Sequence, residues 1–242
     1  MALQKTDLDS AKAALPLASL HLLVPPVQLL AASMWQIVKK KDIQSYWKVS
    51  DFVSFVMESV PELLLFKHWT QLILGLRAQF ILELCEKGEG EKLIQSHLEK
   101  IKTQPSTQLR EASDEKKVVS DFAELIHTFL VESQDKQTFF QEVWSEESRA
   151  LFNSDLQMLF WEFLCRFNQL LPTPELDQTI SWLGESCVFE DFVQSLSEPT
   201  HMKDLLQHHK HLGHLAQHEL FTPEKNLTNA LNADAASLSD NL

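Results

Sequence analysis

Apolar side chains recur every three or four residues through most of this chain, the period of one face of an α-helix. The clearest run is Phe152, Leu156, Leu159, Phe160, Phe163, Phe167, Leu170 and Leu171. Twenty helical residues span about 30 Å, the width of a small domain. Because Met158, Trp161 and Leu164 add apolar positions on neighbouring faces, the pattern predicts a central helix contacted on several sides. Trp69, Ile73, Leu76, Phe80 and Leu84 form a second long face. Before it, Ser59-Val60-Pro61-Glu62 reads as a capping box that opens the helix. After it, Lys87-Gly88-Glu89-Gly90 offers a glycine for a left-handed cap.

The remaining elements follow from the same period. Pro25-Pro26 suits a first helical turn, where missing amide donors cost little. A helix over 27–41 would carry Leu30, Met34, Ile37 and Val38 on one stripe, and one over 42–58 would bury Trp47, Phe52, Phe55 and Val56. A short helix over 92–101 presents Leu93, Ile94, Leu98 and Ile101. Residues 103–117 are polar and read as the main loop. Between 111 and 150, ten acidic residues outnumber four basic ones, which predicts two amphipathic helices with acidic outer faces. Their inner faces are Phe122, Leu125, Phe129 and Leu130, then Phe139, Phe140, Val143 and Trp144. Thr173-Pro174-Glu175 restarts a helix, with threonine as N-cap and proline at N1, whose face is Leu176, Ile180 and Leu183. A further short helix over 189–196 ends before Pro199. The expected organisation is an all-α single domain over 25–197. It is flanked by a flexible arm at 1–24, a His-rich helix or linker at 198–219 and a disordered tail at 220–242.

Composition narrows the function. Only five glycines occur in 242 residues, too few for the turns of an all-β protein or the phosphate cradle of a dinucleotide fold. A net charge of −13 opposes direct nucleic-acid binding, and the one dense basic run, Lys39-Lys40-Lys41 with Lys48 nearby, reads as a solvated helix end. No apolar run approaches the ~20 residues of a membrane span. Three widely spaced cysteines, Cys85, Cys165 and Cys187, suit a reducing compartment, with two of them inside apolar helical patterns as buried hydrophobes. No phosphate loop, nucleophile elbow or metalloprotease motif is present, so the reading is no enzyme, no small-molecule substrate and no cofactor. His208, His209, His211, His214 and His218 fall close together, and the His214/His218 spacing could chelate zinc on a helix. Glycine at 213 weakens such a helix, and the segment reads as a solvated polar face with no metal. The wealth of tryptophan and phenylalanine is mostly core, with room for a groove that accepts a partner's helix or peptide.

Several segments then carry a resemblance. The stretch from Ala31 to Val38 (Ala-Ala-Ser-Met-Trp-Gln-Ile-Val), Gly75-Leu76-Arg77-Ala78, and Glu83-Leu84 up to Gly88 occur in an order similar to the N-terminal domain of the TERF-interacting nuclear factor family. So does the later run from Leu159 to Cys165, followed by Leu171-Pro172-Thr173-Pro174 and Ser181-Trp182-Leu183. That family is the bridging subunit of the telomeric shelterin complex. The resemblance implies a multi-helix TRF-homology bundle and residence in the nucleus on telomeric chromatin. It also implies a scaffold role in telomere protection and length control. The implied partners are peptide segments of the adrenocortical dysplasia protein homologue and of a telomere-repeat-binding factor. The matching positions expected near a helix surface, and so candidates for protein binding, are Ala31, Ala32, Trp35, Leu76, Arg77 and Ala78. The family also uses an F/Y-x-L-x-P segment that this sequence lacks. Phe80-Ile81-Leu82-Glu83-Leu84 has no proline, and Phe221-Thr222-Pro223 has no leucine. The alternative is the same helical fold serving as a recruiting or dimerising domain of another nuclear chromatin or transcription protein.

Overall fold

The structure, a computed structural model, describes residues 20–88, 90–102, 113–131, 133–185, 198–213 and 215. Among these the long elements are all helical: α1 (Val24–Lys39), α2 (Tyr46–Ser59), α3 (Phe66–Lys87), α4 (Glu91–Lys102), α5 (Ser113–Val131), α6 (Ser133–Thr138), α7 (Glu146–Leu170), α8 (Leu176–Glu185) and α9 (Pro199–His211). Short 3-10 turns, Ile43–Ser45 and Pro61–Leu63, join α1 to α2 and α2 to α3. The expected all-α bundle is what the described residues form. Residues 1–19 of the expected arm, 103–112 of the expected loop, the helix over 189–196, the tail from 220, and His214, His218 and Cys187 lie outside the described residues.

At the centre α3 packs against α2, α4, α5 and α7. A helix enclosed on so many sides must be apolar around most of its circumference. Leu72, Leu76 and Ile81 are fully buried, and Leu82, Leu84 and Cys85 nearly so. Gly75 permits the tightest approach: a Cβ there would lie 2.5 Å from Leu156 Cδ2 on α7 and 3.6 Å from Phe152 Cζ. Gly88, with φ 70, takes the expected left-handed cap, and its amide donates to Cys85 O at 3.2 Å.

The face predicted for α7 is buried throughout, from Phe152 to Leu171. Phe163 stacks between Phe160 and Phe167 at centroid distances of 5.7 and 5.9 Å and meets the edge of Phe52 from α2. Contact on several sides is found, from α1, α3, α9 and the Pro61–Leu63 turn, but it does not extend to every apolar position the sequence offered. Trp161 is 53% exposed and Met158 38%, so α7 is amphipathic and its outer flank faces solvent. Ser145 caps its start by accepting from Ser148 N at 3.3 Å, and Glu146 and Glu147 complement the dipole there.

Several local expectations are corrected. Ser59-Val60-Pro61-Glu62 is not a capping box: Ser59 is the last residue of α2, and its hydroxyl donates back to Phe55 O at 3.2 Å. The link beyond it is apolar and pulled into the core at Val60, Leu63 and Leu64, so α3 begins only at Phe66, without a side-chain cap. Thr173 does not cap α8 either. Glu175 N donates to Gln178 Oε1 at 3.0 Å, while Thr173 Oγ1 accepts from Gln28 of α1. On α8, Leu176 and Ile180 are 74% and 56% exposed, the reverse of a core face. Residues 113–117, read as loop, open α5, because a polar, acidic first turn has the composition of a loop. On α1 the buried stripe is Val24, Val27, Ala31 and Val38, and Leu30 faces out. Leu22 and Leu23, assigned to the arm, are buried too. Cys85 is buried as expected; Cys165 is exposed.

The second of the two helices expected in the acidic segment is broken. After α6 the chain widens into a π-turn, Phe139–Val143, where Trp144 N donates to Phe139 O at 2.7 Å. That i→i+5 bond brings side chains five apart onto one face. Phe139 and Trp144 accordingly stack at 6.5 Å with 12° between planes, and Trp144 meets Phe152 of α7 at 5.1 Å.

Two substitutions test this packing. Phe163→Ala should lower the unfolding free energy by about 3–5 kcal/mol in denaturant titration. Gly75→Val should cost about 1–3 kcal/mol or more, because Leu156 is enclosed and the overpacking cannot relax. A Gly75→Val protein as stable as wild type would show that the α3–α7 crossing is looser than described.

Candidate protein-interaction surface

The antiparallel seam between α1 and α7 is the most exposed aromatic feature among the described residues. Its polarity is fixed by three side-chain contacts. Gln28 Nε2 donates to Leu171 O at 2.7 Å, to Thr173 Oγ1 at 3.1 Å and to Asn168 Oδ1 at 3.3 Å. One turn or two later, Trp35 lies 5.0 Å from Trp161 and 6.4 Å from Phe160 between centroids. Near the far end, Gln157 Nε2 reaches Val38 O at 3.5 Å. Ala31 sits between these contacts in sequence and is 5% exposed.

Ala32, Trp35 and Trp161 flank the seam on the solvent side. Ala32 is exposed and Trp35 half-buried. As i, i+3 neighbours they share a helix flank, and a methyl group at 32 leaves the side of the Trp35 ring uncovered. On α7 the 100° step places Met158, Trp161 and Cys165 on the outward side, continuous with that flank. The Cys165 thiol is pushed up in pKa by partial burial and then by Glu162, which keeps it protonated and a poor nucleophile.

Leu76, Arg77 and Ala78 are elsewhere. They are 0%, 3% and 2% exposed, so the expectation that they lie near a helix surface does not hold. Three consecutive residues span 200° of a helix, and all can be buried only because α3 is enclosed. Arg77 spans α3 to α2: its Nε donates to Ser50 Oγ at 3.0 Å, its Nη2 to Asp51 Oδ1 at 3.1 Å, and its guanidinium lies 4.7 Å over the Trp47 ring. Burial pulls the Arg77 pKa down and Asp51 opposes that. His97 of α4 closes the same cluster, 4.4 Å from Trp47 and 5.0 Å from Phe80. Burial, then Lys100 and Arg77, depress its pKa, which keeps the ring neutral near pH 7. The structure therefore brings together Ala31, Ala32 and Trp35 and separates them from the buried group on α3.

The sequence reading missed Gln28 and the outward position of Trp161. The spacing of Trp161 from Met158 and Cys165, off the main α7 stripe, was the available signal. The histidine segment also differs from a uniformly solvated face: His211 is exposed, but His209 is 5% exposed. Among the described residues no group of three or more His, Cys, Asp or Glu is placed to hold a metal ion, and no helix is long and apolar enough to cross a membrane.

Residues 35–178, more than half of the chain, match the family model described as the TERF1-interacting nuclear factor 2 N-terminus. The human protein named TERF1-interacting nuclear factor 2 (Homo sapiens) is 23% identical over 167 residues, covering 65% of this chain and 37% of that protein. Its Mus musculus counterpart is 22% identical over 162 residues, covering 64% and 46%. The chain thus spans less than half the length of the curated relatives it matches.

Arg77→Ala should lower the unfolding free energy by about 2–4 kcal/mol, since it removes charge-assisted bonds and buried packing together. Trp161→Ala, at a half-exposed position, should cost about 1 kcal/mol or less. Equal losses in chemical denaturation would contradict the division between the buried contacts of Arg77 and the exposed seam.

Proposed function

This chain belongs to the family of the TERF1-interacting nuclear factor 2 N-terminus, and from that premise we propose that it is a non-enzymatic docking scaffold of the telomeric shelterin complex. It works in the nucleus on telomeric chromatin, receives peptide segments of other shelterin subunits and contributes to telomere protection and length control. The observation that carries this reading is the α1–α7 seam. Trp35 and the 53%-exposed Trp161 stand side by side there within the segment that the family model matches. Aromatic rings at a partly covered seam are what anchors a short apolar peptide, since they bury large area for little lost freedom. Ala32 and Trp35 would touch the peptide, and Ala31 would set the width of the seam. Leu76, Arg77 and Ala78 would contribute from inside by fixing α3 under α2. The partner segments are those of the adrenocortical dysplasia protein homologue and of a telomere-repeat-binding factor. With a charge of −13 the chain has no direct part in nucleic-acid binding.

The test is a fluorescence titration of the labelled chain with the C-terminal segment of the adrenocortical dysplasia homologue. Saturable binding is expected, weakened about tenfold or more in the Trp35→Ala, Trp161→Ala double variant; no binding by the wild-type chain would remove the proposal. In a parallel titration, the isolated domain of a telomere-repeat factor whose groove takes F/Y-x-L-x-P should not bind this chain, because aromatic, leucine and rigid proline must act together there. Tight binding would reveal a docking segment of another kind.

A further inference from the structure

The C-terminal end of α1 carries a cationic group beside the exposed tryptophans. Lys39, Lys40 and Lys41 are all exposed, and among the described residues none of them forms a salt bridge. The helical angle places Lys39 on the flank shared by Ala32 and Trp35, one turn and about 6 Å beyond Trp35 along the axis. Gln157 of α7 reaches Val38 O at 3.5 Å, so α1 stays against α7 up to the lysines. The helix then closes in a left-handed cap. Lys41 N donates to Val38 O at 3.1 Å and Asp42 N to Ile37 O at 2.9 Å. Lys41 has φ 55, and among the described residues it is the only one other than glycine with a positive φ. Gly88 and Gly213, with φ 70 and 74, take that conformation elsewhere in the chain.

A lysine is strained at such a position. A Cβ in the left-handed region crowds the following carbonyl, and glycine avoids the contact. The helix macrodipole favours cations in the last turn, which Lys39 and Lys40 already supply, and its effect fades beyond that turn. It therefore gives no reason for a third cation at the strained position. Building on the docking role of the Trp35–Trp161 seam, we propose that the three lysines are the charged end of that site. The partner it fits is an acidic amphipathic protein segment. Apolar side chains of that segment sit on the two indoles, and its carboxylates lie over Lys39, Lys40 and Lys41. About 6–9 Å separate Trp35 from the lysines along the axis, which an extended segment covers in about two or three residues. The partner's apolar anchors and its first carboxylate are that far apart in sequence.

The net charge of −13 does not oppose such a partner. At physiological salt the screening length is about 8 Å, and a docked carboxylate lies closer than that to the three ammonium groups. Fixed negative charge beside them is slight. Asp42 follows Lys41 and is exposed, while Glu162, next to Trp161, is mostly buried and lies 3.2 Å from His68 Nδ1. A nucleic acid fits the same surface less well. Three lysines neutralise few phosphates, and the acidic remainder of the molecule repels a long polyanion that extends past them.

Selection of short random displayed peptides on the full chain tests this. Peptides that bind wild type but not the Trp35→Ala, Trp161→Ala double variant should carry aspartate or glutamate about two or three residues from their apolar anchors. Their affinity should fall about fivefold or more in the Lys39→Gln, Lys40→Gln, Lys41→Gln triple variant, and should weaken with added salt. Lys41→Gly alone should weaken binding while raising Tm by about 2–4 °C, because it removes the strain and the charge together. Tryptophan-dependent peptides without an acidic bias, or equal binding by the triple variant, overturn the inference and leave docking at the seam standing. So does a Lys41→Gly variant that binds as wild type does, or an oligonucleotide held through the same lysines as tightly as the selected peptides. Failure to select any tryptophan-dependent peptide removes the docking reading itself, and this inference with it.

Discussion

The arrangement of helices depends on one close crossing, that of α3 over α7 at Gly75. Any side chain at 75 would meet Leu156 inside contact distance, and Leu156 is fully buried and cannot swing away. A glycine in mid-helix costs about 1 kcal/mol relative to alanine. The cost is offset because the crossing seats Phe152 and Leu156 directly on α3 and brings the aromatic row of α7 against α2. With α3 and α7 so placed, α2, α4 and α5 close round α3, and α1 and α9 cover what remains of the inner side of α7. The outer side of α7 is left bare because the crossing uses only one of its faces. Trp161 stands on that outer side.

What the sequence made legible was period, and what it hid was direction. The stripes on α3 and α7 and the left-handed cap at Gly88 could be read because each depends on local spacing or local conformation. Whether an apolar residue faces in or out depends on neighbours far along the chain. Leu176 and Ile180 keep perfect helical spacing yet face solvent, and Met158 and Trp161 looked like additional core for the same reason. The capping-box reading of Ser59 to Glu62 failed in a related way. The motif requires the serine to leave the preceding helix, but burial of Val60, Leu63 and Leu64 keeps α2 going through Ser59 and delays α3. The π-turn at Phe139 left no mark either, since a five-residue spacing is visible only once the rings it pairs are known.

The candidate site divides along the same line. Ala31, Ala32 and Trp35 were selected by resemblance together with Leu76, Arg77 and Ala78, as though each stretch served one purpose. A stretch can resemble a family because a partner touches it or because the fold cannot close without it. Arg77 belongs to the second kind. Its guanidinium is used on all sides by Trp47, Ser50 and Asp51, and a partner could reach it only by opening the contact between α2 and α3.

Trp35 and Trp161 differ from Arg77 physically: they stand at the surface, as the proposed docking role requires. A half-exposed indole forgoes part of the roughly 25 cal/mol per Å² that burial would contribute. Two such rings at 5.0 Å relieve some of that loss by covering each other, and part of the Trp161 ring stays open. Filling position 32 with a long apolar side chain would cover the Trp35 ring from within the chain, and alanine there leaves it open. A single exposed tryptophan needs no explanation, since soluble domains carry many isolated apolar residues. A pair beside a small residue, on a helix seam held by Gln28 and Gln157, is a contiguous apolar feature; under the proposed docking role it would offer a short peptide a surface already in place, which lowers the ordering cost of binding.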